Sequence, residues 1–357
     1  MEKLKNKSDM LDKNKVLLGL SGGVDSTSAA LLLKEKGLDV TGYYFDVTGE
    51  NTEGRREAQQ VADQLDIELI CDDVSGIFKE KVINNFCSEY LHGRTPNPCV
   101  ICNPNVKFRK LIETADRIGA FYIATGHYCR IFRDENTGAC YVTRAVNEKK
   151  DQSYMLYRLG QDVLSRLVFT LGESADKQQT REFARSKKMI NADKNDSQEI
   201  CFVDPSENYA DYIKGLGYTS QPGRFIDKKG NVLGEHKGIV NYTLGQRKGL
   251  GIALGKPAFV TSIDFDKNTI TLGDNEDLFS NKVISDDNVF AFGKAEDYHG
   301  TKVMAKVRYS APLSEAILEV DNNIITTTFT EPQRAATPGQ SIVFYVDNHV
   351  IGGGFIK

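Results

Sequence analysis

The sequence lacks any apolar run long enough to span a bilayer, and no secretory hydrophobic segment precedes its first predicted strand. We therefore expect a cytoplasmic protein. It also lacks an excess of positive charge, because 45 Lys and Arg residues stand against 49 Asp and Glu, a formal net charge of -4. Any surface that binds nucleic acid must then be local. The 357 residues, 40% of them hydrophobic, suffice for two or three domains with a sizeable core.

The two commonest phosphate-binding motifs are also missing. The nearest approach to G-x-x-x-x-G-K-[ST] runs from Gly251 to Lys256, but its spacing is wrong and Pro257 follows. No G-x-G-x-x-G follows the first strand. Instead, an apolar strand ends in Ser21–Ser26, which reads SGGVDS and leads into a helical pattern. Adjacent glycines let the backbone approach a phosphate, and the helix N-terminus offers N–H groups and a positive dipole end. This stretch is a candidate anion cradle.

Strands and helices alternate over the first part of the chain. The pattern predicts strands at 39–45, 68–71 and 121–124, and helices at 52–65, 77–91 and 106–118. Such alternation is typical of a doubly wound parallel α/β sheet, whose ligands bind beyond the carboxyl ends of the strands. The glycine turn after the first strand and Thr125-Gly126-His127 both occupy such positions. A hairpin around residues 136–138, helices at 153–166, 177–188 and 207–214 and a strand at 198–203 are predicted to follow.

The composition changes near residue 216, where long helical periods give way to glycine and β-branched residues. A second break falls near residues 274–285, and the strand patterns after it predict a small antiparallel barrel or sandwich. We predict a catalytic domain at 1–208, a small β-rich central domain at 209–280 and a C-terminal β-barrel at 281–357.

The chain has no second C-x-x-C and no His pair to complete a zinc site with Cys99 and Cys102. Prolines end the preceding helix, and the next helix begins at the two cysteines, where its dipole favours a thiolate. From the residues alone, half a zinc site, a redox pair, part of an iron–sulfur site and plain packing all remain open. Cys201 follows a polar stretch that suits a cleft. The other four cysteines have apolar or hairpin contexts and no predicted chemical role: Cys71, Cys87, Cys129 and Cys140.

Six motifs occur in a fixed order: SGGVDS, GRTPNPCVICN, ATGHY, KDQSY, DSQEICF and NYTLGQRKGLGI. The first resembles the pyrophosphate loop of N-type ATP pyrophosphatases. Together they resemble the bacterial tRNA-specific 2-thiouridylases, the MnmA family, from about residue 15 to the final glycine-rich strand. The resemblance implies an ATP-pyrophosphatase domain of the adenine nucleotide α-hydrolase type, followed by a central domain and a tRNA-binding barrel. It also implies ATP-dependent replacement of O2 by sulfur at the wobble uridine, position 34, of tRNA.

The resemblance implies roles for particular residues. ATP, with Mg²⁺, would be held by Gly19, Leu20, Ser21, Gly22, Gly23, Val24, Asp25, Ser26, Phe45 and Gly126. Contacts to the target base and the tRNA would come from Asn97, Pro98, Cys99, His127, Lys150, Asp151, Gln152, Arg308, Tyr309 and Gln340. Cys201 would carry a persulfide, and Cys102 would release sulfide or close a disulfide with Cys201; a lowered thiolate pKa would serve either role.

The implied partners are tRNA of the Lys, Glu or Gln type and a persulfide donor, either a cysteine desulfurase or a relay protein. Some family members carry Asp where this chain has Cys99. Cys99, Cys102 and Cys201 could therefore hold a [4Fe–4S] cluster, which is a rival to the persulfide scheme. Two other functions stay open: another adenylating enzyme of the same loop class, and a non-catalytic tRNA-binding or sulfur-carrier protein.

Overall fold

The second half of the first strand is deeply buried, because Val16, Leu17 and Leu18 are almost wholly inaccessible to solvent. A computed structural model describes residues 11–174, 176–194, 200–204, 206–252 and 255–357. Two units emerge from it. The first comprises residues 1–81, 99–198 and 347–351, and the second comprises 82–98, 199–346 and 352–357. The three-domain division expected from composition remains a prediction.

The first unit is built on a five-stranded parallel sheet in the order β3-β2-β1-β4-β7. Its strands are β1 (Asp12–Gly19), β2 (Asp39–Asp46), β3 (Leu69–Asp73), β4 (Ala120–Ala124) and β7 (Leu167–Val168), and a hairpin is formed by β5 (Cys129–Arg133) and β6 (Cys140–Arg144). Leu17 of β1 lies in register with Thr41 on one side and Ile123 on the other. Strand order therefore reverses beside β1, which opens a crevice at the carboxyl ends of β1 and β4.

Helices of the chain are α1 (Val24–Glu35), α2 (Thr52–Leu65), α3 (Ser75–Phe78), α4 (Asn84–Leu91), α5 (Pro98–Cys102), α6 (Phe108–Ile118), α7 (Gln161–Leu164), α8 (Lys177–Ser186) and α9 (Tyr209–Gly215). Side chains of α1 and α2 join those of β1 and β2 in one hydrophobic core. Each large apolar side chain buried there contributes roughly 1.5–3 kcal/mol. The Asn51 side chain caps α2 by accepting from the Gly54 N–H at 2.8 Å.

The second unit contains two β structures. A four-stranded sheet has the order β10-β11-β8-β9 and consists of β8 (Gly223–Ile226), β9 (Val232–His236), β10 (Phe259–Asp264) and β11 (Thr269–Gly273). Six antiparallel strands then form a barrel in the order β12-β15-β14-β13-β16-β17, closed by pairing of β12 with β17. They are β12 (Phe279–Phe290), β13 (Lys302–Lys306), β14 (Ser314–Asp321), β15 (Ile324–Arg334), β16 (Ser341–Val346) and β17 (His349–Ile356). The predicted fold class is confirmed.

Two predictions about local structure are wrong, and two predicted helices contain or follow a π-helical turn. The segment expected as a helix at 153–166 is a 3-10 turn, Ser153–Leu156, followed by α7, because Gly160 is extended at the start of α7. Residues 200–203 form a turn closed by the Val203 N–H and the Ile200 carbonyl at 3.0 Å rather than a strand, and residues 198–199 lie outside the described part. The helix expected at 77–91 is present but contains a π-helical turn at Lys79–Ile83. The helix expected at 106–118 is also present, and a second π-helical turn, Asn103–Lys107, precedes α6.

Candidate active site

The loop after β1 is shaped by two glycines. Gly22 has φ +74°, and a Cβ there would lie 3.0 Å from the Ala58 backbone nitrogen, so any other residue would be both strained and crowded. Gly23 is the N-cap of α1 and makes no side-chain capping hydrogen bond. The Ser21 and Ser26 hydroxyls lie 3.2 Å apart beneath the loop. The α1 N-terminus is thus presented by bare backbone, which is the arrangement that binds phosphate.

The predicted adenosine-flanking residues lie beside this loop. A Cβ on Gly19 would come within 3.2 Å of the Phe45 ring, and a Cβ on Gly126 would come within 2.8 Å of the Ser26 backbone nitrogen. Both glycines therefore pack closely, because a side chain at either position would press on the loop or the ring. The structure brings Gly19, Ser21–Ser26, Phe45 and Gly126 together at the carboxyl ends of β1, β2 and β4.

Sequence reasoning missed three side chains that hold the loop. The Asp25 carboxylate accepts from the Tyr128 hydroxyl at 2.8 Å and pairs with the Lys177 ammonium at 2.8 Å. The Asn191 amide donates to the Gly22 carbonyl at 2.8 Å and to the Thr27 hydroxyl at 2.7 Å. Tyr128 belongs to the ATGHY motif and Lys177 begins a predicted helix, so both had a signal, whereas Asn191 had none.

The two cysteines of C-x-x-C lie one helical turn apart on α5. Cys99 is exposed and Cys102 is partly buried. Burial raises the pKa of the Cys102 thiol, and the nearby Lys107 charge offsets only part of that effect. The expected lowering of its pKa is therefore wrong, because desolvation outweighs the helix-terminus effect. Cys201 is exposed in the turn at 200–203.

His127 lies at the carboxyl end of β4, stacked against Phe108 at 6.2 Å and edge-on to Phe169 at 6.1 Å between ring centroids. Its Nδ1 is 2.7 Å from the Thr125 hydroxyl oxygen. Desolvation, with a smaller effect from the Lys107 charge, lowers the pKa of His127 to about 3. The imidazole is therefore neutral at physiological pH, so it is available for stacking or hydrogen bonding but not as a cation.

The segment Lys150–Gln152 is tied to the same edge of the sheet. Asp151 is only 2% exposed, and its oxygens accept from the Ala145 backbone N–H at 3.1 Å and the Ser153 hydroxyl at 2.8 Å. The Gln152 side-chain oxygen accepts from the Tyr128 N–H at 2.9 Å. Lys150 and Gln152 stay partly exposed, whereas Asp151 serves to shape the segment.

In the second unit, Asn97 is partly exposed and Pro98 is buried. The Gln340 side-chain amide donates to the Thr95 carbonyl at 2.8 Å, just ahead of these two residues. On the barrel, the Arg308 guanidinium donates to the Arg334 carbonyl at 2.8 Å and Tyr309 is exposed.

Family models match almost the whole chain in three consecutive parts. Residues 14–205 match the tRNA methyl transferase HUP domain, 211–274 the tRNA methyl transferase PRC-barrel domain and 282–356 the aminomethyltransferase beta-barrel domain. Among relatives, a tRNA-specific 2-thiouridylase MnmA of Clostridium acetobutylicum is 45% identical over 358 residues, covering 96% of this chain and 99% of the relative. The chain belongs to the MnmA family.

Other MnmA relatives agree with this assignment. The tRNA-specific 2-thiouridylase MnmA of Clostridioides difficile is 44% identical over 98% of this chain and 99% of its own. MnmA 1 of Clostridium botulinum strain Okra is 44% identical over 97% of this chain and 99% of its own. An NMN synthetase structure from Francisella tularensis has 14% identity and a TM-score of 0.35, covering 54% of this chain and 72% of that one. That superposition is too loose to carry any argument.

Two further observations bear on MnmA cofactors and location. Across the described ranges, no group of three or more His, Cys, Asp or Glu side chains is arranged to hold a metal ion. No helix in the part of the chain that the structure describes is long and apolar enough to cross a membrane.

Proposed function

We propose that this chain is an ATP-dependent tRNA-uridine 2-sulfurtransferase that converts the wobble uridine of tRNA to 2-thiouridine. The observation that supports it best is the glycine loop at the start of α1, where Gly22 has φ +74°, Gly23 is the N-cap and the Gly126 backbone packs against Ser26. That geometry suits a phosphate beside a helix N-terminus. Full-length likeness to tRNA-specific 2-thiouridylases supplies the acceptor.

The first chemical step is adenylation. The uracil O2 attacks the α-phosphorus of ATP, the bond to the β-phosphate oxygen breaks, and pyrophosphate leaves. The backbone N–H groups at Val24–Ser26 stabilise the negative charge that develops on the α-phosphate. Mg²⁺, where bound, would neutralise triphosphate charge; we assign it no side-chain ligand. Adenylation is needed because an oxo group is a poor leaving group until it carries a phosphoryl group.

The second step brings in sulfur. The terminal sulfur of a Cys201 persulfide attacks C2 of the activated uracil, and AMP departs with the original O2. Cys102, as a thiolate, then attacks the Cys201 sulfur, which breaks the S–S bond and releases 2-thiouridine with a Cys102–Cys201 disulfide. A thiol reductant resets the pair. Because burial raises the pKa of Cys102, its proton must be lost as this step begins.

Contacts to tRNA are proposed for Asn97, Pro98, Cys99, His127, Lys150, Asp151, Gln152, Arg308 and Tyr309. Asp151 would act mainly through the shape of its segment, because it is buried. A wobble base must leave the anticodon stack to reach the nucleotide, and aromatic or neutral polar groups such as His127 suit a splayed base. Arg308 would meet phosphate, so binding should weaken with salt. We place the reaction in the cytoplasm, with tRNA of the Lys, Glu or Gln type as substrate and a cysteine desulfurase or relay protein as donor.

The rival [4Fe–4S] scheme would use Cys99, Cys102 and Cys201. The described residues include no three-ligand group arranged for a metal, so no step is derived through a cluster. Iron and sulfide analysis after anaerobic purification separates the schemes, because a protein without iron that still thiolates tRNA operates by persulfide.

The test is one assay with matched variants. The protein is incubated with ATP, Mg²⁺, unmodified tRNA and a persulfide source, and 2-thiouridine is measured by nucleoside mass spectrometry together with AMP and pyrophosphate. Cys201→Ser and Cys102→Ser should abolish 2-thiouridine, whereas the control Cys71→Ser should retain it. Absence of 2-thiouridine from the wild-type protein with a competent sulfur source defeats the proposal. AMP and pyrophosphate formed by the wild-type protein and by both variants, with no 2-thiouridine from any of them, would point instead to another adenylating reaction.

A further inference from the structure

A short segment, Arg94–Pro96, leads directly to the residues proposed to meet the target base. The side chains of Arg94 and Thr95 contact neighbouring residues of the second unit. The Arg94 guanidinium makes two hydrogen bonds of 2.6 Å to the Glu89 carboxylate of α4. The Thr95 hydroxyl lies 3.4 Å from that of Thr243. These contacts fix the start of the segment but leave its peptide groups to be satisfied elsewhere.

The peptide groups of Thr95 are satisfied by one turn of the barrel. The Thr95 N–H donates to the Pro338 carbonyl at 2.8 Å. The Gln340 side-chain amide donates to the Thr95 carbonyl at 2.8 Å and lies 3.4 Å from the Pro96 carbonyl oxygen. The turn therefore binds the segment as a neighbouring strand would, with one donor and one acceptor.

Gly339 allows the close approach. It has φ +88°, and a Cβ there would lie 3.0 Å from both the Arg94 Cβ and the Thr95 backbone nitrogen. The turn itself is anchored to the end of β17, because the Gly339 N–H donates to the Ile356 carbonyl at 3.0 Å and the Ile356 N–H to the Gln340 carbonyl at 2.8 Å. A turn held by hydrogen bonds in this way can fix the position of the chain it contacts.

We propose that Gln340 is a positioning residue for Asn97, Pro98 and Cys99. Its side-chain nitrogen is directed at the Thr95 and Pro96 carbonyls, where it sets the path of the chain into the base-recognising residues. The barrel thereby contributes to catalysis in addition to any grip on tRNA. This inference rests on the proposed function, since a base is what these residues would position.

The test begins without tRNA or ATP, so that it does not depend on the reaction. Gln340→Met keeps the side-chain length and removes the donor. The matched control is Gln333→Met, because Gln333 is another barrel glutamine, but its amide donates to the Glu331 carbonyl at 2.9 Å. Hydrogen exchange of the Arg94, Thr95 and Asn97 amides should accelerate about fivefold in Gln340→Met, the factor for one hydrogen bond, and should not change in the control.

A second pair of variants distinguishes the loss of this contact from unfolding of the protein. Gly339→Ala should produce the same local change, and its control is Gly300→Ala, where φ is +76° but nothing lies within 4 Å of the added Cβ. Thermal unfolding of all four variants shows which are folded. Gly300→Ala carries backbone strain comparable to that of Gly339→Ala, and neither control residue contacts Arg94–Pro96.

Single-turnover thiolation is then measured beside tRNA binding. Gln340→Met should slow the step about fivefold to tenfold while its tRNA Kd stays within twofold of wild type at each salt concentration. If amide hydrogen exchange at residues 94–97 is unchanged in Gln340→Met, the proposal is overturned. It is also overturned if that exchange is faster but the single-turnover thiolation rate equals that of wild type. A loss of tRNA affinity as large as the loss of rate identifies Gln340 as a tRNA contact instead. If the wild-type protein makes no 2-thiouridine, the function fails, and the exchange result still reports on the tie between the turn and the segment.

Discussion

Gly126→Ala provides the most direct probe of the nucleotide pocket. Its φ lies outside the left-handed region, so alanine introduces no backbone strain and acts only through its methyl group. That methyl would lie 2.8 Å from the Ser26 nitrogen and 2.9 Å from the Asp25 carbonyl carbon, whereas ordinary contact begins near 3.4 Å. The loop must therefore shift by about half an ångström, and overpacking of this kind costs about 1–3 kcal/mol.

The shift occurs where the α-phosphate is expected to bind. The added methyl group also covers the Ser26 N–H, one of the donors at the α1 N-terminus. Because displacement of a catalytic group by about 1 Å can cost about 100-fold in rate, we expect tRNA-dependent pyrophosphate release to fall by about 10- to 100-fold and ATP binding to weaken. Release is followed with a coupled phosphate assay and binding by calorimetry.

The matched control for this variant is Gly76→Ala in α3, where nothing lies within 4 Å of the added Cβ and φ is not positive. It should retain wild-type ATP binding and turnover. If folded Gly126→Ala protein binds ATP and releases pyrophosphate at wild-type levels, then Gly126 does not border the nucleotide and the placement of the pocket is mistaken.

Three other predictions concern charge and protonation. Lys177→Met should raise the KM for ATP about tenfold, because the Asp25 carboxylate loses its cation and repels the triphosphate. The control Lys187→Met removes an exposed cation at the end of α8 and should leave the KM for ATP unchanged. Equal KM values in the two variants would refute a role for Lys177 in ATP binding. The pKa of His127 is lowered, so its contribution to stability is present above pH 6.5 and is lost as pH falls toward about 3. Over that pH range, the free energy of unfolding in urea should therefore fall less for His127→Phe than for the wild-type protein. Equal falls in the two proteins would contradict this. The pKa of the Cys102 thiol is raised, so the single-turnover thiolation rate should still be rising at pH 9 if Cys102 acts as a thiolate, and a plateau below pH 8 would contradict this.

The parts that sequence reasoning predicted are those governed by short-range pattern. The alternation of strands and helices predicted the parallel sheet, and the SGGVDS motif lies at the turn that leads into the α1 N-terminus. The stretch Thr125-Gly126-His127 was predicted at a ligand-binding edge because it follows a strand of the same sheet, and the structure places Gly126 close to Ser26. The ATP role of Gly126 came from the family resemblance and stays a prediction.

The parts that it missed depend on contacts between distant residues or on solvation. Nothing in the sequence near Gln340 indicates that its amide meets the Thr95 carbonyl, 245 positions away. The pKa of Cys102 was expected to fall because the helix terminus was visible in the sequence and the burial was not. Asp151 was expected to contact tRNA, and nothing in the sequence indicated its burial, since its acceptor role toward the Ala145 N–H appears only in the folded chain.

The π-helical turn Asn103–Lys107 separates α5 from α6. Each residue in an α-helix turns the chain by about 100°, and a π turn accommodates one extra residue without moving the helix that follows. The number of residues in this turn therefore sets the direction in which Cys99 and Cys102 point relative to the buried face of α6. An insertion or deletion of one residue there would rotate both thiols by more than a quarter turn, so we expect this turn to tolerate exchange of its side chains far better than any change in its length.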